Sequence, residues 1–215
     1  MADQIIVEKD VCSRIPTAYG EFLLCLYHNN QDDKEHLAFI KGEVEGAEKV
    51  LARVHSECFT GEVLGSERCD CGEQLERSMQ MIAEEGSGVL VYMRQEGRGI
   101  GLLEKLRAYN LQDQGYDTVD ANLVLGHQAD SRDYGVTAAI FKNLGIKSIR
   151  LITNNPAKIE HLEELGIKVE GRIGVMPTIN PNNERYIRTK INRMNHLLDL
   201  PPITEPSDDQ DNGAD

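Results

Sequence analysis

Three of the five cysteines, Cys58, Cys69 and Cys71, fall within fourteen residues. Cysteine thiolates are zinc ligands, so the cluster predicts a metal. Cys69 and Cys71 flank a single residue, Asp70, and cannot both face one ion from inside a regular helix. A loop or a helix start is needed there, and Gly72 frees the turn. Three thiolates leave the fourth corner of a tetrahedral zinc open to water, as in catalytic sites. Such a water has its pKa lowered toward ~7 and attacks at neutral pH. The spacing equally accommodates a structural zinc completed by His55 or Asp70, or buried thiols without metal. The odd cysteine count and an expected reducing compartment argue against a disulfide framework.

Other segments carry chemistry of their own. Gln95–Leu102 holds Gly97, Gly99 and Gly101 between a buried strand and a helix. Such glycines let a backbone approach a phosphate. The spacing is neither the dinucleotide fingerprint nor a Walker loop, and it also suits a plain tight turn. Asp130-Ser131-Arg132 is expected to open a helix, where a carboxylate commonly serves as a cap. Tyr109 has a phenol able to donate a proton or a hydrogen bond, or to half-fill a core. Thr153–Lys158 spans the end of a strand and the start of a helix, a favoured ligand crevice. Lys158 is otherwise a solvated helix lysine. Without a ligand, Val54 reads as core, His55 as a satisfied polar residue, and Arg53 and Glu57 as exposed.

These segments need a scaffold. Ala18–His28 and His36–Lys41 read as a hairpin, and Val50–His55 as a third strand. Gly72–Glu85 is a helix with Leu75, Met79 and Ile82 on one face, ended by Gly86 and Gly88. Val89–Met93 suits a buried strand. Helices are expected over Gly101–Gln112, Arg132–Leu144 and Asn182–Leu198. Ser148–Gly171 is a β-α-β unit: strand Ile149–Thr153, N-cap Asn155 with Pro156 at the first helical position, and a second strand from Ile167. The fold class is therefore α/β, a single three-layer domain with a mixed, partly parallel sheet and helices on both faces.

Composition sets the outer bounds. The 215 residues are enough for one large domain, residues 1–200, with an acidic, disordered tail over 201–215. Chains of this size bury about 70% of the surface they expose when unfolded. Mean hydropathy is −0.42, and the longest strongly apolar run, Phe22–Tyr27, is far short of the ~20 residues of a membrane span. The first ten residues show no secretory pattern, so a cytoplasmic location is expected. Net charge is −13, and the body stays at −8 without the five carboxylates of 201–215. That argues against nucleic acid as partner, though not against a small phosphorylated ligand met by local cations and a divalent metal.

RVHSEC (Arg53–Cys58), RCDCG (Arg68–Gly72), RQEGRGIGL (Arg94–Leu102), LRAYNLQDQGYDTVDAN (Leu106–Asn122) and LITNNPAK (Leu151–Lys158) together resemble GTP cyclohydrolase II. The likeness runs from about Arg14 to Leu198. It implies zinc, one per subunit, on Cys58, Cys69 and Cys71, and Mg²⁺ with the triphosphate. It implies GTP contacts at Arg53, Val54, His55, Ser56, Glu57, Gln74, Glu96, Gly97, Arg98, Thr118, Thr153 and Lys158. Asp130 takes the role of general base, and Arg132 that of nucleophile on the α-phosphorus. A guanidinium has a pKa above ~12, so Arg132 either loses its proton to Asp130 in a dry site or acts as an electrostatic clamp. Position 131 is Ser where many relatives have Glu, which is expected to matter little. Tyr109 marks the formate-releasing type. The implied reaction is hydrolysis of GTP at C8 of the imidazole ring. It releases formate and pyrophosphate and leaves 2,5-diamino-6-ribosylamino-4(3H)-pyrimidinone 5′-phosphate, the first committed step of riboflavin biosynthesis. The alternatives are a variant that stops at the formamidopyrimidine and a non-catalytic zinc- and nucleotide-binding protein. The likeness also implies a homodimer. Many relatives carry an upstream synthase domain; about a dozen residues precede the matching region here, so a single activity is expected.

Overall fold

The computed structural model describes residues 4–198. The acidic tail expected over 201–215 lies outside the described residues. Among the described residues, seven strands form one sheet: β1 (Val7–Thr17), β2 (Gly20–Asn29), β3 (His36–Lys41), β4 (Val50–Ser56), β5 (Gly88–Met93), β6 (Ile149–Ile152) and β7 (Val169–Ile173). Their order is β1-β2-β3-β5-β4-β6-β7. β1, β2, β3 and β5 pair antiparallel, whereas β4 is parallel to β5 and β6, and β6 to β7. The central strands β4 and β5 are buried almost throughout, as expected where helices cover both faces.

Alternation along these strands feeds two cores. Ala52, Val54, Val89, Val91 and Met93 point to one face, under Val136, Ile140 and Phe141 of helix α5 (Gly135–Asn143) and Leu162 of α6 (Pro156–Glu164). Leu51, Leu90 and Ile152 point to the other, under Met79 and Ile82 of α2 (Cys71–Glu85). The β4-to-β5 link crosses one face through α2, and the β6-to-β7 link crosses the opposite face through α6. The two helices leave adjacent strand ends in opposite directions, which opens a crevice at the carboxyl ends of β4 and β6. The remaining helices are α1 (Phe59–Glu62), α3 (Gly101–Asp113), α4 (Thr118–Val124) and α7 (Glu184–Met194).

Three expectations are corrected. The strand expected at Ala18–His28 begins at Gly20, because Ala18-Tyr19 forms the tip of a β1–β2 hairpin, with Thr17 paired to Gly20. The same hairpin sets Cys12 opposite Cys25, and the two form a disulfide with Cα atoms 4.1 Å apart. No disulfide was expected; the pairing follows from a register that only the hairpin creates. Finally, Asp130-Ser131-Arg132 does not open a helix. α5 starts at Gly135, whose N–H is accepted by Asp133, and Asp130 is paired to Arg132 instead.

Candidate active site

A cleft lies at the carboxyl ends of the parallel strands. β4 delivers Arg53, His55 and Ser56 and continues into Glu57 and Cys58. β5 leads into Glu96–Arg98, and β6 into Thr153.

The sulfur atoms of Cys58, Cys69 and Cys71 lie within 4.8 Å of one another. Cys71 is the first residue of α2, so the paired cysteines straddle a helix start rather than sharing a helix. Cys58 Sγ and Cys69 Sγ are 3.6 Å apart. Tetrahedral zinc with bonds of about 2.3 Å needs ligand sulfurs about 3.8 Å apart, so the spacing fits. Gly61 completes the cradle: a Cβ there would lie 2.8 Å from Cys69 Sγ and 3.2 Å from Cys58 Sγ. Hydrogen bonds from Cys69 and Cys71, with the Lys105 ammonium 3.1 Å away, hold Cys58 far below the ordinary thiol range, while Cys69 is pushed up to about 11 by its bond to Cys58. Neither protein ligand considered for a closed site joins the trio. His55 Nε2 is held by Glu62 Oε1 at 2.8 Å, and Asp70 pairs with Lys190 and Gln74. Among the described residues the converging group is cysteine alone.

Beside the sulfurs stands a buried cationic wall. Arg53, 6% exposed, donates to the Ile152 carbonyl at 3.0 Å and to Gln74 Oε1 at 2.6 Å. Burial pulls its pKa down to about 10, against the attraction of Asp70. Lys158, 5% exposed, has a backbone partner and no carboxylate: Nζ donates to the Val54 carbonyl at 2.7 Å. Burial, and then Arg53 and Arg132, hold its pKa well below the usual lysine value. Arg132 is mostly buried, but a two-toothed pair with Asp130 outweighs that and keeps it charged. Asp130 is half-buried, and its bonds to Arg132 hold it below the ordinary carboxylate range. Buried cations without matching carboxylates are costly and mark an anion site.

The Gly97-Arg98-Gly99 turn supplies backbone and charge. All three residues have positive φ, at 64°, 61° and 95°. Arg98 is held in this region, which a side chain rarely adopts, and such strain gathers at functional sites. A Cβ at Gly99 would lie 2.8 Å from the Ser131 carbonyl, and Ser131 N–H donates to the Arg98 carbonyl at 3.0 Å. The Arg98 and Arg132 loops are thus locked together through the backbone of residue 131. Glu96 anchors the turn by accepting from Phe59 N–H at 2.7 Å, Gly97 N–H at 2.8 Å and Lys105 Nζ at 2.7 Å.

Tyr109, on α3, reaches Thr60 Oγ1 at 3.4 Å near the sulfurs; burial raises its pKa, so the phenol keeps its proton. Gln74, Thr118, Glu57 and Thr153 also line the cleft. Two expected residues do not: the Val54 side chain is core and only its carbonyl serves, through Lys158, and Asp130 acts on Arg132 from behind. Sequence reasoning missed Lys105, Tyr186, Lys190, Met194 and His196, all in the lining. Tyr186, Lys190 and Met194 are spaced i, i+4, i+8, one stripe of α7, and Lys105 lies one turn before Tyr109. Those spacings were the available signal.

Fold and site thus define an α/β protein with a three-thiol centre beside a buried anion site. Residues 8–174 match the family model for GTP cyclohydrolase II. The chain is 50% identical over 198 residues to "Riboflavin biosynthesis protein RibBA" of Phocaeicola vulgatus, covering 92% of this chain and 49% of that protein. It is 51% identical over 194 residues to the protein of that name from Bacillus subtilis (90% and 49%), and 53% identical over 201 residues to that of Chlamydia trachomatis (93% and 47%). The chain spans about half the length of the curated relatives it matches. It belongs to the GTP cyclohydrolase II family.

Proposed function

We propose that the protein is a zinc-dependent GTP cyclohydrolase II that opens the guanine imidazole ring at C8. It would release formate and pyrophosphate and leave 2,5-diamino-6-ribosylamino-4(3H)-pyrimidinone 5′-phosphate. The observation that carries this is the juxtaposition, in one cleft, of three converging thiols and buried cations lacking carboxylate partners.

Cys58, Cys69 and Cys71 would hold the ion, which when bound supplies a Lewis acid and a water acidic enough to attack at neutral pH. Arg53, Arg98, Arg132 and Lys158 bind the triphosphate, and the amides of the Gly97–Gly99 turn add donors. Among the described residues no second cluster of carboxylates or imidazoles converges, so Mg²⁺ would arrive on the triphosphate. Asp130 holds Arg132 charged and oriented. That charge supports the clamp role at the α-phosphorus over the nucleophile role, because a carboxylate of lowered pKa is a weak base toward a guanidinium. Tyr109 keeps its proton and donates it during ring opening.

The test is product stoichiometry with GTP, Zn²⁺ and Mg²⁺. One formate and one pyrophosphate per GTP are expected. GTP loss without formate would establish the formamide-stopping variant, and no GTP loss a non-catalytic binder.

The reading includes a cytoplasmic homodimer without nucleic-acid or membrane partners. The net charge of −13 supports the absence of nucleic acid, and among the described residues no helix is long and apolar enough to cross a membrane. Leu103, Leu106, Leu123 and Val124 are exposed on α3 and α4, a surface a second copy would cover. Sedimentation of the purified chain tests the dimer.

A further inference from the structure

α7 ends in a left-handed turn at Asn195, φ 53°. The chain then doubles back: His196 N–H donates to the Lys190 carbonyl at 3.0 Å and Leu197 N–H to the Asn154 carbonyl at 2.8 Å, while Leu198 is buried. Residues 196–198 are thereby fixed against the carboxyl end of β6, and His196 lines the cleft. Its Nε2 is buried and has no hydrogen-bond partner among the described residues.

Four cations act on the ring through space: Lys190 on α7, Arg132 before α5, Lys158 on α6 and Arg98 on the glycine turn, all of which line the same cleft. All are donors, and none gives a hydrogen bond to Nε2. Burial, and then these cations, lower the pKa of His196 to about 3. The ring is therefore neutral at pH 7, and its Nε2–H tautomer offers a donor to the cleft without adding a fifth charge. A buried donor left unmatched is costly, and the ligand that would match it here is an oxyanion.

We propose that His196 is a phosphate-binding residue, its Nε2–H donating to the triphosphate chain gripped by Arg98, Arg132 and Lys158. This rests on the reading of the cleft as a nucleoside triphosphate site. The post-helical segment 196–198 thus places His196 in the wall of that site.

Calorimetric titration of the zinc-loaded full chain with inorganic tripolyphosphate tests the assignment apart from ring opening. His196→Phe keeps the volume and loses the donor, and its affinity is expected to fall about ten- to hundredfold. His196→Gln restores an N–H at similar reach and is expected to bind within a few-fold of wild type, a rescue that a mere packing role would not give. The assignment is overturned if the Phe variant binds like wild type, if Gln binds as poorly as Phe, or if wild type does not bind tripolyphosphate. GTP turnover is measured separately. If wild type binds tripolyphosphate but does not consume GTP, the cyclohydrolase reading fails while the variant comparison still decides His196. If wild type consumes GTP and His196→Phe binds and turns over unchanged, only the His196 assignment fails.

Discussion

Lys158→Met isolates the cost of building an anion site before the anion arrives. The Lys158 ammonium is 5% exposed, takes one backbone partner, and is disfavoured by burial and then by the charges of Arg53 and Arg132. Its folded pKa lies below its unfolded value, so its charge opposes folding. The penalty is full below the folded pKa and fades as pH rises through it, because the neutral amine is easier to bury. Methionine fills similar space without charge. Replacing buried ionic groups by apolar ones commonly gains about 1–4 kcal/mol, and the lost bond to the Val54 carbonyl returns about 1 kcal/mol. A net gain of roughly 1–2 kcal/mol is expected in the unliganded protein, which at about 2–4 °C per kcal/mol for this size raises Tm by several degrees. The same change removes a charge-assisted contact, so triphosphate affinity falls about tenfold or more. Scanning calorimetry with and without GTP and Mg²⁺ reads both effects, and the Tm gain shrinks at alkaline pH. An unliganded variant less stable than wild type, or one stabilised by GTP as much as wild type, refutes the reasoning.

Gly61→Ala places a Cβ 2.8 Å from Cys69 Sγ; zinc content measured by atomic emission is expected to fall sharply while far-ultraviolet circular dichroism is unchanged. Tyr109→Phe removes the retained phenolic proton, and the ratio of formate to pyrophosphate is expected to drop. Asp130→Asn leaves Arg132 without its carboxylate, costing about 1.5–3 kcal/mol in chemical denaturation at pH 7. Because the folded pKa of Asp130 is lowered, that difference should persist above the ordinary carboxylate pKa and vanish as pH falls through the folded value.

Much of this architecture was legible where apolar runs are strong. β5 announces itself because a strand covered on both faces reads as a continuous apolar segment. β4 and β6 remain apolar enough to read as strands around Arg53, His55 and Arg150, and Asn155-Pro156 marks the start of α6 by its capping chemistry. β1 was invisible because it is an edge strand with mostly exposed residues. With β1 unseen, the Cys12–Cys25 pairing could not be read either. α4 is capped by Asp117, which accepts from Val119 and Asp120 N–H, a cap hidden inside a motif valued for other reasons. Asp130 looked like a cap, but the nearby Asp133 takes the contact with Gly135 N–H and frees Asp130 for Arg132. The cysteines and the Arg53 and Lys158 segments were found because their motifs are local. The α7 stripe was not, because the spacing of Tyr186, Lys190 and Met194 does not state which surface the helix will cover.

The most direct test is a zinc titration of metal-stripped protein in GTP and Mg²⁺, with formate measured at each step. Formate release should rise in proportion to zinc, level off at one ion per chain, and be absent from Cys69→Ser at every zinc level. Full-rate formate from the stripped protein, or from Cys69→Ser, would contradict the account.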